Sequence, residues 1–339
     1  MRIGKLKADE LEKYIFKRTG YKDPDVLIGS SIGEDAAIIK IFDDKALVAH
    51  TDPITGSLDL IGFLSVVIPS NDVAVRGVRP RWMLTTIFLP PDAEESEIDR
   101  MTSQIHETAN MFNISIVGGH TEYTDAVKRP VIVSTSIGVG RIDRIITTGR
   151  AKPGEKILMT KTVGIEGTAI LARDFKEILI KKGVDKEIIE KASSYYKKIS
   201  VIEEALKLAE EDLVSSMHDP TEGGLLAGLA ELAYASKVSI TIYEDKIPMS
   251  VETKIISKAF DIDPLTMLSS GALIASVKKG FEEKALKVLR EIDVEASIIG
   301  EVEDRKDYLV KIVSRSGERI LRDVYIEDPV IKLFNIFIK

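Results

Sequence analysis

Acidic side chains recur in this chain where a glycine or a strand end would leave them open to a ligand. Gly33-Glu34-Asp35-Ala36-Ala37 sets two acids just before a predicted strand. His50-Thr51-Asp52-Pro53 stands at the end of another, where α/β proteins commonly present ligand-binding loops. Ser70-Asn71-Asp72 interrupts a run of Val and Ile, and an Asn–Asp pair there is costly to bury without partners. Val117-Gly118-Gly119-His120-Thr121-Glu122 carries paired glycines, whose backbone N–H groups can approach phosphate oxygens as in an anion nest. His218-Asp219-Pro220-Thr221-Glu222-Gly223-Gly224 runs into a helix whose start favours anions. Singly, these segments also read as acidic turns, tight turns or helix caps.

Histidine placement ties the segments together. Of the four His, His50, His120 and His218 fall within them, and only His106, on an amphipathic helix, does not. Zinc could use such a set, but hard carboxylate oxygens outnumber imidazoles, which favours magnesium. The chain has no cysteine, so disulfides, thiolate zinc sites, iron–sulfur clusters and thiol catalysis are excluded. There is no G-x-x-x-x-G-K-[ST] loop, no protein-kinase signature set and no G-x-G-x-x-G fingerprint, so any phosphate binding must rest on dispersed acids and magnesium.

The elements that position these residues alternate strand and helix. A helix is predicted over 7–18, strands over 36–42 and 46–51 with a turn at 43–45, and an apolar helix over 59–76 interrupted by Pro69. A strand follows over 82–89, a helix over 94–112, and strands over 113–118 and 130–139. Gly149-Arg150-Ala151-Lys152-Pro153-Gly154 reads as a domain boundary. Beyond it come a strand at 156–160, helices from about 166 to 211, a strand at 213–217, a helix at 223–236, and alternating elements from 238 to 312. The expected fold class is α/β (α+β), with domains over 1–148 and 149–312 and a partly ordered tail over 313–339.

At 339 residues, two domains are the natural expectation. The net charge of −7 argues against a nucleic-acid binder, whose partner's phosphate backbone needs a basic face. No apolar run is long enough to span a bilayer, and the N-terminus does not read as a signal peptide, so a cytoplasmic location is expected. Scarce Gln with abundant Lys, Glu and Ile matches the bias of proteins from hot-growing organisms.

Taken in order, GEDAA, TD, ND with RGVRPRW, GGHTE and the distant HDPTEGG resemble the aminoimidazole ribonucleotide synthetase superfamily over about residues 4–303. This superfamily includes hydrogenase expression/formation protein E, selenide water dikinase and thiamine-monophosphate kinase. HDPTEGGLLAGLAELA and DPLTMLSSGALIASV look most like hydrogenase expression/formation protein E and its archaeal relatives, while VRPRWMLTTIFLPP also looks like thiamine-monophosphate kinase. The resemblance implies two α/β domains, an N-terminal domain that pairs in a barrel-like homodimer interface, and ATP in a cleft near that interface. It implies Asp35, Asp52, Asp72 and Asp219 as magnesium ligands, with Asp72 and Asp219 nearest the chemistry. Asp35, Asp52, Asn71, Gly118, Gly119, His120, Thr121, Gly223 and Gly224 would contact the nucleotide. His120 stands where many relatives carry an acid, and Glu222 where hydrogenase-maturation proteins commonly have Arg.

The implied chemistry is ATP-driven activation of an oxygen, or phosphoryl transfer to a small substrate. A maturation-protein partner is a further implication. Hydrogenase expression/formation protein E works through a C-terminal cysteine, which this chain lacks, so cysteine-dependent thiocarbamoyl dehydration is ruled out by the family route. Three readings stand: an ATP-dependent relative acting on another small substrate, a thiamine-monophosphate kinase-like enzyme, and a nucleotide-binding scaffold with little turnover.

Overall fold

The computed structural model describes residues 7–337 except 17, 19, 20, 22, 56 and 58. The first half builds a six-stranded sheet from β1 (Val26–Ile28), β2 (Ala37–Lys40), β3 (Lys45–Ile54), β4 (Pro80–Leu89), β5 (Ser115–Tyr123) and β6 (Val131–Arg141). The second half builds a seven-stranded sheet from β7 (Lys156–Thr160), β8 (Val214–His218), β9 (Ser239–Tyr243), β10 (Ile274–Val277), β11 (Ala296–Glu303), β12 (Val310–Ser314) and β13 (Gly317–Leu321). Spatial order is β1-β2-β3-β6-β4-β5 in the first and β13-β12-β9-β11-β7-β10-β8 in the second. Both sheets are mixed, because β4–β5 and β12–β9 are parallel while the other pairs are antiparallel. The expected α/β class and two-domain layout are therefore present.

In β3, Ala46 and Val48 are buried while Lys45 and Thr51 are exposed, the period-two alternation of a sheet covered on one face. The cover is the helix Ile61–Ala74, every residue of which is buried. Its largely apolar surface, interrupted by Ser65, Ser70, Asn71 and Asp72, suits a helix wedged in a core. Pro69 does not interrupt it, contrary to the sequence reading. Proline removes one hydrogen bond, but packing on the sheet and on the helix Glu95–Met111 keeps the turn in place. Asn71 and Asp72 thus lie in its buried last turn rather than at a solvated end.

One apolar cluster joins the two halves. It runs from Ile61, Leu64 and Val67 to Ile170, Leu171 and Phe175, and on to Val330 and Phe334. The C-terminal segment is thus docked: Phe334 meets Phe175 edge-on at 5.1 Å between ring centroids. Among the described residues, no helix is long and apolar enough to cross a membrane.

An acidic cavity at the domain seam

β3, the end of the helix Ile61–Ala74 and the end of β8 converge on a cavity of about 240 Å³. Its walls include Asp35, Asp52 and Asp72 from the first half and His218, Asp219 and Thr221 from the second. Strand register sets His50 and Asp52 two residues apart on one face of β3, and the last helical turn brings Asp72 to them. His50 Nε2 lies 3.7 Å from Asp52 Oδ2 and 3.6 Å from Asp72 Oδ2. Two sets, Asp35–His218–Asp219 and His50–Asp52–Asp72, each offer ligand atoms within 4.8 Å of one another.

The acids differ sharply in their partners. Asp35 is enclosed in an ion-pair network: its Oδ2 accepts from Arg76 Nη2 at 2.5 Å, and its Oδ1 is 2.5 Å from His218 Nδ1. Arg76, fully buried, also donates to Glu34 Oε2, to Thr148 Oγ1 and to the Met217 carbonyl, so it ties the first half to the second. His218 Nε2 reaches Glu231 Oε2 at 2.9 Å. Burial works against charge on Asp35, but His218 and Arg76 outweigh it and hold the carboxyl below its usual range. Burial likewise disfavours a charged His218, yet Asp35 and Glu231 lift it well above the usual imidazole value.

Asp219, by contrast, is 1% exposed, and neither carboxylate oxygen has a hydrogen-bond partner. Asp72 Oδ2 also lacks a hydrogen-bond partner, with His50 Nε2 3.6 Å away. Burial, reinforced by Asp72 and Asp35, pushes the Asp219 carboxyl well above the carboxylate range. Burial pushes Asp72 up to about 7, with His50 opposing and Asp52 and Asp35 adding to the rise. His50 is raised to about 10: burial disfavours its charge, but Asp72 and Asp52 overcome it. Orphaned buried carboxylate oxygens of this kind fit a hard divalent cation, which would supply the missing partners.

The structure separates the remaining expected site residues. Asn71 does not line the cavity; its side chain donates to the Ile199 carbonyl and accepts from Val201 N–H, clamping the two halves. Gly118, Gly119, His120 and Thr121 do not lie in a loop at a strand end, because β5 runs through them to Tyr123. They line a separate pocket of about 290 Å³ with Thr85 and Ile105, and His120 pairs with Glu122. Gly119 is required there, since a Cβ would lie 1.8 Å from the Thr85 carbonyl oxygen. Gly223 and Gly224 do open a helix, Gly224–Ser236, but its entrance is filled from within. Asp328 Oδ2 accepts from Gly223 N–H, and a Cβ on Gly223 would meet the Ile326 carbonyl at 2.6 Å.

Sequence reasoning assigned no role to Arg76, Glu34, Glu231 or the tail residues Val324, Tyr325 and Ile326, which help line or brace the cavity. Arg76 had a usable signal, because it follows Asp72 by four residues and so shares its side of the chain in a helical turn. The tail carried none.

The layout defines a two-domain α/β protein with an acidic, cation-competent cavity between its halves. Comparison with known proteins narrows this class. Residues 33–140 match the family described as AIR synthase related protein, N-terminal domain, and residues 152–312 match its C-terminal domain. A hydrogenase expression/formation protein of Methanocaldococcus jannaschii is 32% identical over 339 residues, covering 96% of each chain. A thiamine-monophosphate kinase of Pyrococcus abyssi is 29% identical over 83% of this chain and 86% of its own. Among solved structures, hydrogenase maturation protein HypE in complex with ATP superposes with a TM-score of 0.71 at 24% identity, covering 97% of each chain. The chain belongs to the AIR synthase related family.

Proposed function

We propose that this protein is an ATP- and magnesium-dependent enzyme that activates or phosphorylates an oxygen of a small substrate. The observation that carries this reading is the charge of the cavity wall. It holds seven acids, Glu34, Asp35, Asp52, Asp72, Asp219, Glu222 and Glu231, against two histidines, His50 and His218, and no Lys or Arg among the described lining residues. A polyphosphate could enter such a wall only with divalent cations. Bound magnesium would supply charge neutralisation around the transferring phosphoryl group.

In this reading Asp52, Asp72 and Asp219 hold the cations, drawn from both halves. His50, between Asp52 and Asp72, orients their carboxylates. The Arg76–Asp35–His218 network fixes the two halves so that Asp219 faces Asp72. Asp35 serves the site mainly as this latch, since both its oxygens are already engaged. Thr221, Glu222 and Tyr325 border the acceptor side. The homodimer belongs to the same proposal, supported by β5, an edge strand exposed along its whole length with Ile116, Val117 and Tyr123 uncovered.

Calorimetry with ATP, with and without magnesium, tests the reading. Wild type should bind only with magnesium, and Asp72→Asn should weaken binding while leaving the fold intact; magnesium-independent or unchanged binding would sink it. Substrate-dependent ADP release distinguishes an enzyme from a nucleotide-binding scaffold. A thiamine-monophosphate kinase-like activity is a second reading, favoured by the Pyrococcus abyssi relative. Phosphorylation of thiamine monophosphate decides it directly.

A further inference from the structure

The face of the domain seam opposite in charge to the acidic cavity holds an open groove of about 750 Å³, lined by residues 143–146, 149–152 and parts of 209–215 with Lys278. Its two acids are already committed. Asp143 accepts from Arg141 at 3.0 and 2.9 Å, and Asp212 pairs with Lys278 at 2.5 Å. Three further cations line the groove, Arg144, Arg150 and Lys152; none forms an ion pair within 4.0 Å among the described residues, although Arg144 acts on Asp143 at longer range. On a chain of net charge −7, this is a local excess of positive charge.

The groove floor is stiff. The Thr148 carbonyl accepts from Ser216 Oγ at 2.6 Å and Ser236 Oγ at 2.8 Å, while Gly149 N–H donates to Glu34. Arg150 Nη1 donates to the Ile145 carbonyl at 3.2 Å, which sets its guanidinium along the wall with other N–H groups free to bond outward. Two guanidiniums and an ammonium around one groove are the donor types that bind phosphate oxygens. Its size suits a small molecule rather than a helix or duplex.

We propose that this groove is a second ligand site, distinct from the acidic cavity, which takes a phosphorylated small molecule without a metal ion. The absence of carboxylates free to hold a cation sets it apart from the cavity, where phosphate needs one.

Calorimetry with inorganic pyrophosphate in magnesium-free buffer containing a chelator tests this, because the acidic cavity repels the probe under those conditions. Wild type and Asp219→Asn should bind alike. The triple variant Arg144→Ala, Arg150→Ala, Lys152→Ala should bind about tenfold more weakly or not at all. All three side chains are on the surface, so circular dichroism and thermal melting should match wild type. Arg150→Lys alone should retain partial binding, since the charge remains and the fork is lost. No binding by wild type, or equal binding by the triple variant, overturns the proposal. So does loss of binding in Asp219→Asn. None of these outcomes bears on magnesium-dependent ATP binding, so the two proposals fail separately.

Discussion

Asp35 and Asp219 border the same cavity, at 6% and 1% exposure, yet they occupy opposite electrostatic states. Asp35 is held ionised by Arg76 and His218 on either oxygen, whereas Asp219 has no partner on either. Burial alone therefore does not mark a ligand-binding acid. A buried carboxylate that is fully paired is part of the frame, and removing its partner is costly. A carboxylate with neither oxygen hydrogen-bonded, at the wall of an acidic cavity, is instead a candidate for a ligand that arrives later.

The comparison can be broken most forcefully at the latch. Arg76→Met removes the buried cation that Glu34 and Asp35 share, and should lower stability by about 3–5 kcal/mol in chemical denaturation. Combining it with Asp35→Asn should recover part of that loss. Equal destabilisation with and without the second change would show that Arg76 acts through packing instead.

Asp219→Asn should have the reverse profile. It removes a buried, partnerless carboxylate, so the metal-free protein should melt at the same or a higher temperature. Turnover, once a substrate is known, should fall about a hundredfold, the scale of losing one electrostatic stabiliser of a transition state. A lower melting temperature would mean that Asp219 has a structural partner and that the contrast with Asp35 is unsound.

Away from the seam, Glu252 sharpens the idea that complete pairing is a stability device. It accepts from Tyr195 Oη at 2.6 Å and pairs with Lys191 at 2.6 Å. Burial disfavours its charge, but Lys191 and Tyr195 outweigh this and hold it down at about 2. A depressed carboxylate contributes stability that is fully present above its unfolded value and is lost as pH falls through the folded one. Denaturation between pH 5 and pH 2 should therefore show a contribution of about 2 kcal/mol draining away in wild type and missing in Glu252→Gln, a figure already discounted for the exposed Lys191. Parallel pH profiles would remove Glu252 as its source.

The exposed pair Arg79–Glu203, at 2.9 Å, gives the smallest effect. Both side chains are about half exposed or more, so Arg79→Ala should change stability by less than about 1 kcal/mol. A larger loss would show that ion pairing across the halves matters even in water.

The cavity's acids drew attention because each sits beside a local signal: glycine at Asp35, an apolar run at Asp72, and proline with paired glycines at Asp219; the strand end expected at Asp52 lies instead inside β3, which runs on to Ile54. The fold class followed from alternating periodicities. Pro69 misled, since its local cost was real but burial of the whole helix overrode it. Gly118 to Thr121 misled differently: a paired-glycine segment reads as a turn, yet here glycine admits a close backbone approach within a strand. The tail was hidden because Asp328, Val330 and Phe334 gain their burial only from elements far away in sequence.

By itself, then, the sequence determined which residue types were available and which chemistries were closed. The lack of cysteine removes thiol chemistry outright, and scattered acids without a phosphate-binding loop direct any nucleotide site toward divalent cations. Residue type and local spacing suffice for that, because they set charge, donor hardness and backbone freedom. Only the tertiary structure decided which acids are spent and which are free. Pairing is a matter of distances between segments far apart in the chain, such as those of Asp35 and His218, and no local pattern encodes them.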